Sequence, residues 1–240
     1  MIGLEINKMH WDSEFWGVNF YNADKSCNLL DFKQYLNNEL SDIPFVIQSI
    51  VSEDDIHLIN SLEDNGFRFV ESKMNLVKNV KDMSMNNEID LSIFQDVREK
   101  DLIRYKDEFY TLYGKVSRFA SFGEKKVNDF YYKWAKKSIN GKLDDRCIGY
   151  YSNNILKGFI TYRIINYKLI IGLVGVYPEY QGKKISQYLL DYVTNIAVIN
   201  NCNEINVSTQ GKNTKAINAY IRNGFLIDNI KHWYYYKGGL

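Results

Sequence analysis

The chain has 240 residues, of which 45% are apolar and 25% charged, an ordinary balance for a soluble globular protein. Its 30 basic and 29 acidic side chains leave a net charge of +1, so nothing points to a nucleic-acid groove or an anionic membrane surface. Cys27, Cys147 and Cys202 are too few and too dispersed for a disulfide framework or a zinc knuckle, and no metal is expected.

In chain order, "HWDSEFWGVNFY" (10–21) concentrates aromatic and acidic groups near the start. "FVIQSIV" (45–51) predicts a strand, and "SEDDIHLINSLEDNGF" (52–67) a helix with Ser52 as N-cap and an Asn65-Gly66 stop. "FRFVESKMNLV" (67–77) reads as a further strand. The polar stretch 78–92 is the best domain boundary, dividing the chain into 1–90 and 91–240. Beyond it, 96–113 and 125–141 show helical spacing of apolar residues, and Asn153-Asn154 predicts a hairpin turn. The apolar strand "KLIIGLVGV" (168–176) leads through a polar turn into an amphipathic helix over 183–200. A strand at 204–210, a capped helix at 213–225 and a closing strand at 232–237 complete the pattern.

Ile59-Asn60 with Asn65-Gly66-Phe67 matches Ile217-Asn218 with Asn223-Gly224-Phe225 at the same spacing. A common helix-to-strand join and a degenerate half-repeat both account for this. In this alignment Leu62 falls opposite Tyr220.

Residues 181–186, Gln181, Gly182, Lys183, Lys184, Ile185 and Ser186, lie where a strand ends and a long helix begins. Free N–H groups at such a turn attract phosphate, and small residues let phosphate approach the main chain. A plain polar loop would also look like this. The run Val176-Tyr177-Pro178-Glu179-Tyr180 followed by Gln181-Gly182-Lys183-Lys184-Ile185-Ser186 resembles the V-x-P and Q/R-x-x-G-x-G/A signature of the GNAT acyl-CoA-dependent N-acetyltransferases. Lys184 takes the middle glycine's place and Ser186 that of the final Gly or Ala. A left-handed backbone at Lys184 would cost about 1–2 kcal/mol. The stretches 10–21, 117–119, 130–148, 207–225 and 232–237 are similar to those of the TDP-fucosamine acetyltransferase subfamily.

The resemblance implies an α/β GNAT fold, with a mostly antiparallel sheet, flanking helices and a smaller αβ N-terminal domain. It implies acetyl-CoA as co-substrate and the amine of a nucleotide-linked amino-deoxysugar as acceptor. Main-chain groups of Leu173, Val174 and Val176 are assigned to the cofactor, with residues 181–186 on its pyrophosphate and Asn213 on its pantetheine arm. Asn213 is also a plain N-cap candidate. Tyr220 takes the general-acid position; its alternative is a core tyrosine. His10, His57 and His232 suggest no triad, and Cys147 and Cys202 lie in apolar patterns that suit inert thiols. Asp12, Glu14, Phe15, Trp16, Arg118 and Phe119 are the acceptor-binding candidates. Another amine acceptor, or a CoA-binding domain without catalysis, are the competing readings. The start of the chain lacks a secretory pattern and no run reaches 18 apolar residues, so a cytoplasmic protein is expected, with a homodimer left open.

Overall fold

A computed structural model of the chain describes residues 6–23 and 43–239, together with Gln34 and Asn38; Cys27 lies outside the described residues. The chain forms two compact units, Met1–Lys73 with Asn229–Leu240, and Met74–Asp228. The division falls earlier than the polar stretch at 78–92. From residue 81 to 90 that stretch is a surface loop of the second unit, tied down where Asn86 N–H donates to Asn195 Oδ1 at 2.9 Å and Asn195 Nδ2 returns to the Asn86 carbonyl at 2.9 Å.

In the first unit, β1 (Ile6–Lys8) pairs antiparallel with β2 (Asn19–Ala23), and α1 (His10–Trp16) connects them. β2 runs parallel to β3 (Phe45–Ser52). The apolar run of β3 is buried nearly throughout and sits beside the last strand, β10 (Leu226–Gly238), in antiparallel register. α2 (Ile56–Asp64) follows β3 and leads into β4 (Arg68–Asn79). The cap of α2 is Asp55, whose carboxylate accepts the Leu58 N–H at 3.2 Å, and not Ser52, which ends β3. Phe45, Ile47, Val51, Leu62, Phe67 and Tyr234 form the core of this unit.

In the second unit, β5 (Phe94–Asp96), β6 (Arg146–Ser152), β7 (Ile155–Ile165) and β8 (Lys168–Val176) form an antiparallel meander. β9 (Glu204–Gln210) then lies parallel to β8. Asn153 and Asn154 have φ of 54° and 58°, the paired left-handed residues of a tight hairpin. Asn166 and Tyr167, at 50° and 60°, build a second such turn that the presence of tyrosine concealed from sequence reading.

The helix expected over 96–113 is broken. Phe94–Asp96 is an edge strand, and α3 (Glu99–Arg104) and α4 (Lys106–Phe109) are separated at Tyr105, where φ is −106° and ψ 30°. Packing overrides helical propensity there: Tyr105 lies 5.2 Å from Tyr177, and Phe109 stacks on Phe159 at 5.6 Å. α5 (Glu124–Ile139), α6 (Ile185–Ile199) and α7 (Thr214–Arg222) match their sequence patterns closely. α6 buries Ile185, Leu189, Leu190, Val193 and Ala197 in a core shared with Ile160, Ile171, Val207 and Phe225. The mostly antiparallel sheet with flanking helices is the expected α/β architecture. Among the described residues no helix is long and apolar enough to cross a membrane.

Candidate active site

Strands β8 and β9 pair from Lys168↔Glu204 to Ile171↔Val207, and the ladder stops there although both strands continue. The chain forks beyond Ile171. On its other side β8 remains on β7, with one irregularity: Ile160 pairs with Val174 and Tyr162 with Ile171. Thr161 therefore faces two residues, Gly172 and Leu173, which is the geometry of a β-bulge. Tyr177 N–H donates to the Lys157 carbonyl at 3.0 Å. By strand alternation the main-chain groups of Val174 and Val176 then point away from β7, into the fork. The Val174 carbonyl accepts the Tyr113 hydroxyl at 3.0 Å, and the Val176 carbonyl accepts Gln181 Nε2 at 3.1 Å. Leu173 differs from expectation: its N–H turns toward β7 and is taken up by Thr161 Oγ1 at 2.8 Å. That donor is committed inside the protein and is not available to a ligand.

The turn after β8 has two left-handed residues, Gly182 at φ 78° and Lys184 at φ 60°, ψ 12°. A Cβ at Gly182 would meet nothing within 4 Å, so glycine serves the backbone angle there and not a tight contact. Lys184 is the N-cap of α6 and no side chain caps that helix. The N–H groups of its first turn lack helical partners and lie at the positive end of the helix dipole. Residues 181–184 are exposed, Ser186 is half-buried, and the Ile185 side chain is buried in the core, leaving only its main chain for the turn. This arrangement fits a phosphate group: exposed donors, no opposing carboxylate among residues 181–186, and two lysines.

Asn213 caps α7, accepting the Ala216 N–H at 3.3 Å while its Nδ2 donates to Thr209 Oγ1 at 3.1 Å. Two turns on, Tyr220 is only 7% exposed, with its ring 5.5 Å from that of Phe225. Burial pushes its phenol well above the ordinary value. Tyr113 joins it. Its phenol is raised first by burial and next by Tyr220. Tyr113 stacks on Tyr131 at 4.7 Å, and Tyr131 donates to Ser117 Oγ at 3.2 Å. Sequence reading missed Tyr113. In a chain with 19 tyrosines, nothing local separated it from the rest.

The remaining candidates divide. The Arg118 guanidinium sits over the Phe119 ring, 4.0 Å from its centroid, and its charge opposes the rise that burial imposes on the Tyr131 phenol. Phe119, in contrast, is 2% exposed and packed against Phe130 at 5.0 Å; its ring is core and has no face for a ligand. In the first unit, Asp12 is buried, Glu14 exposed and Phe15 half-buried. Trp16 is 3% exposed, edge-on to Phe15 at 4.9 Å. Cys147 and Cys202 are buried and burial raises both thiols, Cys147 additionally beside Asp144. His10 and His57 are exposed, and His232 Nδ1 lies 3.2 Å from Ser72 Oγ.

Residues 106–225, which contain the fork, the turn, Asn213 and Tyr220, match the Acetyltransferase (GNAT) family. The chain belongs to this family. Over 238 residues the GNAT chain is 21% identical to the dTDP-fucosamine acetyltransferase of Escherichia coli O6:H1, covering 98% of this chain and 99% of that protein. Over 109 residues it is 24% identical to the spore coat polysaccharide biosynthesis protein SpsD of Bacillus subtilis, 45% of this chain and 37% of that one. A GCN5-related N-acetyltransferase from Sphaerobacter thermophilus shares the fold with a TM-score of 0.62 at 12% identity, over 97% of this chain and 75% of its own. The protein is an acetyltransferase, and its family uses acetyl-CoA.

Proposed function

We propose that this acetyltransferase moves the acetyl group of acetyl-CoA onto the amine of a nucleotide-linked amino-deoxysugar, with Tyr220 as general acid. The observation that carries the chemistry is the β8 edge at the fork, with Val174 and Val176 directed into it and the Tyr113 hydroxyl on the Val174 carbonyl. The acceptor class rests on the E. coli relative, which bears that activity in its name and matches nearly the whole chain.

The amine attacks the thioester carbonyl, a C–N bond forms, the C–S bond breaks, and the amine proton passes to water. The Val174 N–H is the donor for the oxyanion that develops, a role worth several kcal/mol when the donor is fixed in advance. Val176 and Asn213 hold the pantetheine amides, and residues 181–186 the pyrophosphate. Tyr220, kept protonated by burial, donates to the departing sulfur. Because burial places this phenol far above a thiol, which titrates near 8.5, it stabilises the thiolate chiefly as a hydrogen-bond donor. Arg118 is the proposed fork for the sugar's diphosphate.

The test is a panel of TDP- and UDP-linked amino-sugars incubated with acetyl-CoA, following thiol release and the mass of the product. Acetylation of a TDP-amino-deoxysugar is expected. Turnover confined to polyamines, other small amines or peptides would move the acceptor elsewhere, and thiol release with none of them would leave a CoA-binding domain.

A further inference from the structure

The carboxylate of Asp144 is 1% exposed and lies outside the machinery described above. It accepts four side-chain donors. Its Oδ2 takes Trp134 Nε1 at 3.0 Å, Ser138 Oγ at 3.0 Å and Thr161 Oγ1 at 2.7 Å, and its Oδ1 takes the Arg163 guanidinium at 3.0 Å. A buried carboxylate is tolerated only when paired and bonded in this way. Replacing such a group by apolar side chains often costs no stability, so stability alone does not explain it.

Its connections lead to one place. Thr161 has a single hydroxyl proton, and that proton is committed to Asp144. Its oxygen must therefore offer a lone pair elsewhere, and it offers one to the Leu173 N–H. The second route is aromatic: Trp134 stacks on Tyr131 at 6.3 Å, Tyr131 on Tyr113 at 4.7 Å, and the Tyr113 hydroxyl donates to the Val174 carbonyl. Leu173 N–H belongs to the peptide before the Leu173–Val174 bond, and the Val174 carbonyl to the peptide after it. The peptide between them carries the Val174 N–H. One neighbour is pinned by Thr161, which Asp144 orients directly, and the other by Tyr113, whose ring stack ends on Trp134, a donor to Asp144. Gly172 completes the device: a Cβ there would overlap Asp144 Oδ2 and lie 2.7 Å from Thr161 Oγ1. Its φ is not in the left-handed range, so glycine is required by space alone.

We propose that the Asp144–Arg163 pair, acting through Thr161, is a positioning device that fixes the β8 bulge and aims the Val174 N–H into the fork. The inference rests on the acetyl-transfer reading for its consequence, but its mechanical part can be measured without it. In the ligand-free full chain, the Leu173 amide is expected to be protected from hydrogen exchange, and Thr161→Val to accelerate its exchange about tenfold or more while Thr161→Ser preserves protection. With acetyl-CoA and an accepted amine, Thr161→Val is expected to lower kcat by roughly 10²-fold, the scale of a misplaced catalytic donor. The KM for acetyl-CoA should stay within about twofold, and Thr161→Ser should restore kcat. If Thr161→Val fails to fold, Asp144→Asn, which keeps the volume but loses an acceptor, carries both measurements. Unchanged exchange at Leu173 overturns the device itself. Accelerated exchange with kcat unchanged overturns its role in catalysis, and a wild type that acetylates no amine overturns the proposed function while leaving the exchange result to stand or fall alone.

Discussion

Lys184 brings two opposed effects to one position, and its replacement should separate them. Its backbone sits at φ 60°, ψ 12°, where an L side chain costs about 1–2 kcal/mol that glycine does not incur. Glycine gives back roughly 0.4–1 kcal/mol through the looser unfolded chain. Lys184→Gly should therefore be about 0.5–1 kcal/mol more stable than Lys184→Ala, which keeps the strained angle. For a chain of this size that is a rise in Tm of about 1–4 °C. The charge acts the other way. An exposed ammonium beside a phosphate contributes about 0.2–1 kcal/mol, so both variants should raise the KM for acetyl-CoA about 1.5- to 5-fold at low salt. That penalty should vanish as the screening length falls from about 30 Å at 0.01 M salt to about 3 Å at 1 M. Lys184→Arg should keep the KM. Thermal melts of the glycine and alanine variants, with KM measured at both salt concentrations, decide the matter. A glycine variant no more stable than the alanine one would refute the strain argument, and a KM indifferent to both charge and salt would leave the turn's main chain as the whole phosphate site.

Tyr220→Phe keeps the ring against Phe225 and removes the donor, so kcat should fall roughly 10²-fold with acetyl-CoA affinity little changed; an unaltered kcat would make Tyr220 a core residue. Burial raises the phenols of Tyr113, Tyr131, Tyr177 and Tyr220, so the unfolded chain loses these protons first as pH climbs. The stability they contribute is full below about pH 10 and falls above it, by up to about 1.4 kcal/mol per pH unit for each; urea midpoints that stay level from pH 9 to pH 11 would contradict this. Trp16, 3% exposed, should behave as an anchor of the first unit, and Trp16→Ala should cost about 3–5 kcal/mol in urea denaturation.

What could be read from the sequence was local. Asn213 as a cap, Asn153-Asn154 as a hairpin turn, and the strand–turn–helix around Gln181 each depend on neighbours a few residues away. The conditional cost at Lys184 was legible too, because a glycine position filled by lysine is visible in the sequence itself. What escaped was long-range. Tyr113 meets the Val174 carbonyl 61 residues later, and Thr161 meets Asp144 across 17. No periodicity encodes either contact. The break at Tyr105 was hidden for the same reason, since the rings that cause it come from β7 and from the end of β8. Phe119 and Leu173 show the converse error. Each lies beside residues that face the site, yet one ring turns into the core and one N–H turns to Thr161.

The sequence echo between 59–67 and 217–225 corresponds to a geometric one. Both α2 and α7 have nine residues. Each is capped by a side-chain oxygen, Asp55 on the Leu58 N–H at 3.2 Å and Asn213 on the Ala216 N–H at 3.3 Å. Each ends at an asparagine whose Nδ2 reaches back to a carbonyl at 2.8 Å, of Ser61 and of Ala219. Gly66 and Gly224 follow at φ 78° and 82°. Phe67 then donates to the Leu62 carbonyl at 2.9 Å, and Phe225 to that of Tyr220 at 3.1 Å. The same join is thus built twice with the same bonds, so the asparagines and glycines belong to the join and carry no chemistry. The difference lies in the side chain whose carbonyl receives the phenylalanine. Leu62 ends in methyl groups among Phe45, Ile47 and Phe67 and has nothing to donate. Tyr220 extends from the equivalent turn with a hydroxyl that burial holds protonated. The helix-to-strand join supplies the position, and only the second copy carries a hydroxyl on it.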